Sequence, residues 1–174
     1  MLKTLKEVLT NQFHAALCTL NDCIDRCPDS AWNSKIVNLE FNQAAFHTLI
    51  YTDYYLGDGE ETFRRQLFHR ENEGRFGDYE EFEDRVQVAT YERSFIQAYM
   101  AHCRTKLSET IAAETAESLS AESTFPWLTF SRAEVYVYTI RHIQHHAAQL
   151  ILRLRRDYQQ DMPWFKSGWP PSAK

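Results

Sequence analysis

Residues 131–158 read SRAEVYVYTIRHIQHHAAQLILRLRRDY, which combines a helix start signal with a long apolar periodicity. Ser131 and Glu134 form an S-x-x-E capping box, which is typical of a helix N-terminus. Apolar residues recur behind the box at helical spacing as far as Tyr158, and no Gly or Pro interrupts them. The stretch therefore predicts one long amphipathic helix over 131–158.

Three further helical patterns precede this one and predict helices over 2–26, 40–56 and 78–116. Pro28 ends the first pattern, and the run Gly57-Asp58-Gly59 ends the second. The chain has only five Gly and five Pro among its 174 residues, which excludes a turn-rich β-sandwich or barrel. We predict an all-α protein, a four-helix bundle in one domain over residues 1–174.

Two longer loops and a tail connect and follow the predicted helices. Residues 60–79 are polar and aromatic, and they predict an irregular excursion with a helical turn near 62–68. Residues 117–130 form a second predicted loop. Residues 159–174 contain three Pro and two Trp, which indicates an extended tail that Trp164 and Trp169 dock.

The overall charge and the absent motifs exclude several classes of function. A net charge of −5 without a polybasic run argues against a nucleic-acid partner. The mean hydropathy of −0.52 and the lack of a long apolar run argue against a membrane span. The N-terminus has no signal-peptide pattern and the four Cys have no CxxC spacing, so we expect a cytoplasmic protein with reduced thiols. HExxH, ExxH, GxGxxG, P-loop and GxSxG patterns do not occur.

Two histidines of the last helix have the spacing of a metal-binding pair. His142 and His146 are four residues apart, so their Cβ atoms lie roughly 5–6 Å apart on one helix face. Two imidazoles placed in this way can bind one divalent ion at about 2.0–2.1 Å. His145 is three residues from His142 and is the rival partner, and spacing alone leaves both choices open.

His47 offers a third ligand from the second predicted helix. Its neighbours in AAFHTLIY are almost all apolar, so we expect its ring to point into the bundle or its mouth. Bundle cores build metal sites from facing helices, and three His ligands leave a position open for water or substrate. An all-imidazole set favours zinc or nickel over magnesium or calcium. We expect His14, His69 and His102 to be surface or supporting residues.

Three sequence features occur in the order that a known family has them. The first is the segment from Cys27 to Trp32 after the first helix, and the second is His47 with the aromatic Asp segment YTDYYL behind it. The third is an HxxxHxxQ pattern that runs from His142 to Gln149. On these features the chain resembles the DinB/YfiT-like family of metal-binding four-helix bundles.

The resemblance implies a site and an activity. It implies that His47, His142 and His146 bind the divalent metal, because Gln149 at the end of the motif favours His146 over His145. It further implies a metal-dependent enzyme of the thiol S-transferase or hydrolase type, a small-molecule substrate such as a low-molecular-weight thiol, and a homodimer. The alternatives are a non-catalytic metal- or small-ligand-binding stress-response protein and a purely structural bundle.

Overall fold

The computed structural model of the chain describes residues 1–36, 38–76 and 89–169. Regular structure within these ranges is helical, with two isolated β-bridges and no strand. The predicted all-α class is therefore confirmed. The helices are α1 (Leu2–Arg26), α2 (Asp29–Trp32), α3 (Phe41–Tyr55), α4 (Glu60–Arg64), α5 (Leu67–Glu71), α6 (Arg93–Ala113), α7 (Ala116–Ser120) and α8 (Arg132–Tyr158), with a 3-10 turn at Glu73–Arg75.

The four long helices α1, α3, α6 and α8 enclose one apolar core. Helices α1 and α3 each pack against both α6 and α8, so every long helix has two long neighbours. Side chains with no more than 2% exposure fill the centre, including Phe13 of α1, Phe46 of α3, Tyr99 of α6 and Ile143 of α8. This arrangement brings α3 and α8, which carry the predicted metal ligands, side by side.

The third long helix differs from its predicted bounds of 78–116. Residues 77–88 lie outside the described part of the chain, and α6 begins only at Arg93. The backbone just before it is bound by side chains from elsewhere: Tyr91 donates its N–H to Asn42 Oδ1 at 3.0 Å and accepts from Trp32 Nε1 at 2.7 Å. The backbone N–H and carbonyl of Tyr91 are thus bound by these side chains and not by the backbone partners that a helix would give them. Helix α6 also ends early, at Ala113, because Thr115 caps the separate helix α7.

Both predicted loops contain more regular structure than their sequences indicated. The segment behind Gly59 forms α4, α5 and the 3-10 turn, and the second loop starts with most of α7. In the tail, the Trp169 ring packs against α6 and α1. Its centroid lies 3.4 Å from the guanidinium carbon of Arg104 on α6 and 6.5 Å from the centroid of the His14 ring on α1. Trp164 is 82% exposed, so the prediction that it docks the tail is wrong.

Arg132, the first residue of α8, joins that helix to the end of α3. Its guanidinium donates to the carbonyl oxygens of Tyr55, Leu56 and Gly57 at 3.5, 3.2 and 2.6 Å. The last carbonyls of a helix lack partners within the helix, and a cation there also complements the helix dipole. Glu114 forms an ion pair with the same guanidinium at 3.2 Å.

No helix in the described ranges has the length and apolar character that crossing a membrane requires.

Candidate metal centre

The structure brings His47, His142 and His146 together between α3 and α8. One ligand nitrogen from each lies within 4.8 Å of the others. The Nε2 atoms of His142 and His146 are 3.1 Å apart, and the His47 ring centroid lies 5.5 and 4.8 Å from their rings. Two nitrogens that each sit at about 2.0–2.1 Å from one ion are roughly 2.9–3.4 Å apart, so the pair has the spacing of two ligands.

Gln149 gives His145 and His146 different surroundings. Its Oε1 lies 3.2 Å from His146 Nδ1, and its Nε2 lies 3.1 Å from His145 Nε2. An amide oxygen only accepts, so Nδ1 of His146 carries the proton in this arrangement, and the Nε2 lone pair faces His142. His145 is exposed and lies outside the three-His group.

The electrostatic environment keeps the paired imidazoles neutral. Burial, together with the nearby His146, His47 and His145, lowers the pKa of His142 to about 3. Burial also lowers the pKa of His146, although the hydrogen bond with Gln149 opposes that shift. Neutral imidazole is the form that binds metal. Nδ1 of His142 is buried without a hydrogen-bond partner among the described residues.

Aromatic residues lie on the same faces of α3 and α8 as the three histidines, one or two turns away from them. Residues 47, 51 and 55 lie one turn apart on α3, and residues 138, 142 and 146 lie one turn apart on α8. The Tyr51 ring lies 4.8 Å from His47 and 5.4 Å from His142, while Tyr55 and Tyr138 meet at 5.6 Å. The site therefore has an aromatic side.

A second group of polar residues, centred on Asp53, was missed by the sequence analysis. Asp53 of α3 is fully buried, and one of its oxygens accepts from His69 Nε2 at 2.6 Å and from Tyr99 Oη at 2.9 Å. Its other oxygen accepts from Lys106 Nζ at 2.6 Å and lies 3.6 Å from His102 Nε2. His69 is 2% exposed, so it is not the surface residue that was one of the two expectations, and its ring instead supports Asp53.

The Asp53 cluster fits an ion-pair network better than a metal site. Asp53, His69 and His102 have ligand atoms within 4.8 Å of one another. The ammonium of Lys106, however, already neutralises the carboxylate and would repel a divalent cation. Burial raises the pKa of Asp53, but hydrogen bonds from His102 and His69 and the charge of Lys106 outweigh it, so the net pKa lies well below its usual value. An aspartate inside an apolar helix was the signal that could have pointed to this network.

The four cysteines do not provide a nucleophile. All four are buried free thiols. Burial raises the pKa of Cys18 and Cys27 to about 11 and that of Cys23 to about 12, and it raises the pKa of Cys103 well above its usual value. Thiolate is the reactive form, so these side chains are inert near neutral pH.

Comparisons with protein-family models, with curated proteins and with solved structures found no match to this chain. The helical class and the three-His group therefore carry the functional conclusion.

Proposed function

We propose that this chain is a DinB-like four-helix bundle that binds one divalent metal ion, zinc or nickel, through His47, His142 and His146. We propose further that it is a metal-dependent enzyme of the thiol S-transferase or hydrolase type, acting on a small molecule in the cytoplasm. The observation that carries the proposal is the convergence of three half-buried imidazoles from α3 and α8, within 4.8 Å of one another.

The donor set supports a metal ion in preference to a plain hydrogen-bond cluster. In the absence of an ion, the Nε2 atoms of His142 and His146, 3.1 Å apart, avoid lone-pair repulsion only if one of them carries a proton. A divalent ion would instead bind both Nε2 lone pairs at once, together with a nitrogen of His47, which lies within 4.8 Å of them. Three neutral imidazoles also match the preference of zinc and nickel for nitrogen.

The residues around the three histidines have supporting parts in this proposal. Gln149 holds His146 with its Nε2 lone pair toward the site, which is the role of groups that orient metal ligands. Tyr51 packs against His47 and His142 and covers one side of the site. A divalent ion bound here would offer an open position and lower the pKa of a water or a thiol there, which supplies a nucleophile near neutral pH.

Metal binding by matched variants tests the proposal. Purified protein is titrated with zinc and with nickel against a coloured chelator, and the bound metal is quantified. We expect one ion per chain, with at least about 100-fold weaker binding in His47→Ala, His142→Ala and His146→Ala, since even groups that only orient ligands contribute 10–100-fold. His145→Ala is the control and should bind like the wild type. Equal metal content in wild type and His142→Ala would refute the site.

Turnover distinguishes the enzyme from the non-catalytic alternative. The loaded protein is assayed for conjugation of a low-molecular-weight thiol to an electrophile and for ester hydrolysis, each with and without metal. Activity that requires the metal and is lost in His142→Ala supports the enzyme. Tight metal binding without turnover of either substrate class supports a metal- or small-ligand-binding protein instead. Gel filtration tests the homodimer that the family resemblance implies.

A further inference from the structure

Four partly exposed aromatic rings form what we call the aromatic shelf, which extends from Tyr51, in contact with His47 and His142, away from the histidines: Tyr51, Trp127, Phe130 and Tyr138. The shelf is continuous through the buried ring of Tyr55, which lies 5.9 Å from Tyr51 and 5.6 Å from Tyr138. Phe130 lies 6.0 Å from Tyr138. Since Tyr51 also contacts His47 and His142, the shelf begins at the histidines themselves.

Trp127 stands at the tip of a turn whose ends are anchored. Leu128 donates its N–H to the carbonyl of Phe125 at 2.9 Å, which closes a turn around Pro126 and Trp127. The side chains of Phe125 and Leu128, on either side, are 1% and 7% exposed. The indole N–H donates to Tyr55 Oη at 3.3 Å. The turn therefore holds the 58% exposed indole of Trp127 in position as part of the shelf.

The size of the shelf favours a small molecule over a protein partner. A stable protein interface needs about 800 Å² on each side. A fully buried aromatic side chain contributes about 150–250 Å², and all four rings of the shelf are already partly covered. Rings of this kind recognise other flat rings, by offset stacking and edge-to-face contact, better than they recognise puckered ones.

We propose that the aromatic shelf binds a planar apolar ring of the substrate and thereby holds its reactive atom at the three-His site. This inference rests on the proposed function, because it names the chemical class of the small molecule. The substrate is then an aromatic or conjugated compound whose reacting thiol, ester or electrophilic carbon lies close to the ring. Trp127 and Tyr138 are specificity-determining residues, since they contact the ring and not the reacting atom.

Two probe pairs, each a planar and a puckered ring of similar size, test the proposal. Cobalt-loaded protein is titrated with benzyl mercaptan and with cyclohexylmethanethiol, and binding is followed by thiolate-to-cobalt absorption. Metal-free protein is titrated with benzyl alcohol and with cyclohexylmethanol by ligand-observed NMR. We expect the planar member to bind roughly 2–10-fold more tightly in each pair, the range of one or two aromatic contacts. That ratio should fall to about one in Trp127→Leu and in Tyr138→Leu.

The outcomes separate the shelf from the metal site. Trp164→Leu is the matched control, because it removes an exposed indole of the tail, and it should keep the wild-type ratio. If zinc, nickel and cobalt all fail to bind, the proposed function fails, and the metal-free pair still decides whether the shelf selects planar rings. Equal binding of both members in the wild type overturns the proposal. So does a Trp127→Leu variant that keeps the ratio but loses a dimer on gel filtration, which makes the shelf a subunit interface.

Discussion

Replacing Asp53 by Asn should destabilise the fold strongly, although the side chain keeps its shape. The carboxylate accepts from His69, Tyr99 and Lys106 at 2.6–2.9 Å and has no exposure to water. Asn removes the negative charge and turns one acceptor into a donor, which then faces the donors that used to bind it. The ammonium of Lys106, 17% exposed, is left without its counter-ion.

The expected loss follows from what breaking a buried ion pair costs. Removing one partner of such a pair typically costs about 3–5 kcal/mol, because the other charge stays buried. Urea unfolding of Asp53→Asn at pH 7 should show a loss of this size. Asp29→Asn is the control: Asp29 pairs with Arg93 at 3.2 Å but is fully exposed, and it should change stability by less than about 1 kcal/mol. Equal small losses in both variants would refute the buried-network argument.

The pH dependence of the same variant provides a second check. Because the folded-state pKa of Asp53 lies below its ordinary value, the ionised carboxylate contributes stability that is fully present above about pH 4. That contribution is lost as the pH falls through the lower folded-state pKa. The difference in unfolding free energy between wild type and Asp53→Asn should therefore narrow as the pH is lowered below about 4. A gap that stays constant down to the acid unfolding of the wild type would contradict this reasoning.

Three further predictions follow from other contacts. Gln149→Ala should weaken metal binding about 10-fold without changing the unfolding midpoint, because His146 loses the partner that orients it; unchanged affinity in a chelator competition would contradict this. Arg132→Lys should cost about 2–3 kcal/mol in urea unfolding, since a single ammonium cannot reach three carbonyls at once; a neutral result would contradict the capping role. The four thiols should react with a disulfide reagent only after unfolding, and rapid native reaction at pH 8 would show that they are accessible.

The long helices were predictable where local signals define them. Helix α1 has the predicted bounds. Its apolar periodicity and the Pro28 that follows it are local signals, which can be read from residues within or next to the helix. Helix α8 begins behind Ser131, whose side chain accepts from the Glu134 N–H at 3.4 Å as the capping pattern predicts. The start of α6 was not predictable, because the competing hydrogen bonds on Tyr91 come from Trp32 and Asn42, which are far away in the sequence.

In the candidate site, too, the features set by residues close in the sequence were predictable and those set by tertiary packing were not. His142 and His146 share a helix face by spacing alone, whereas the approach of His47 depends on how α3 packs on α8. The structure brings the three together, and whether they bind metal remains a prediction. The Asp53 network was missed because its members come from α3, α5 and α6, with no spacing between them that a sequence pattern could reveal.

The hydrogen bonds from the Arg132 guanidinium to the carbonyls at the end of α3 affect where the distant histidines lie. It fixes the end of α3 against the start of α8, and so sets how far each helix is shifted along the other. From this fixed point His142 lies ten residues along α8, about 15 Å, and His47 lies eight residues back from Tyr55, the last residue of α3, about 12 Å. Similar distances on two helices that run in opposite directions bring the rings to a similar height. Arg132 thus fixes the axial position of α3 relative to α8. If α3 bound the guanidinium one residue further along, His47 would move about 1.5 Å along the helix axis relative to His142 and His146.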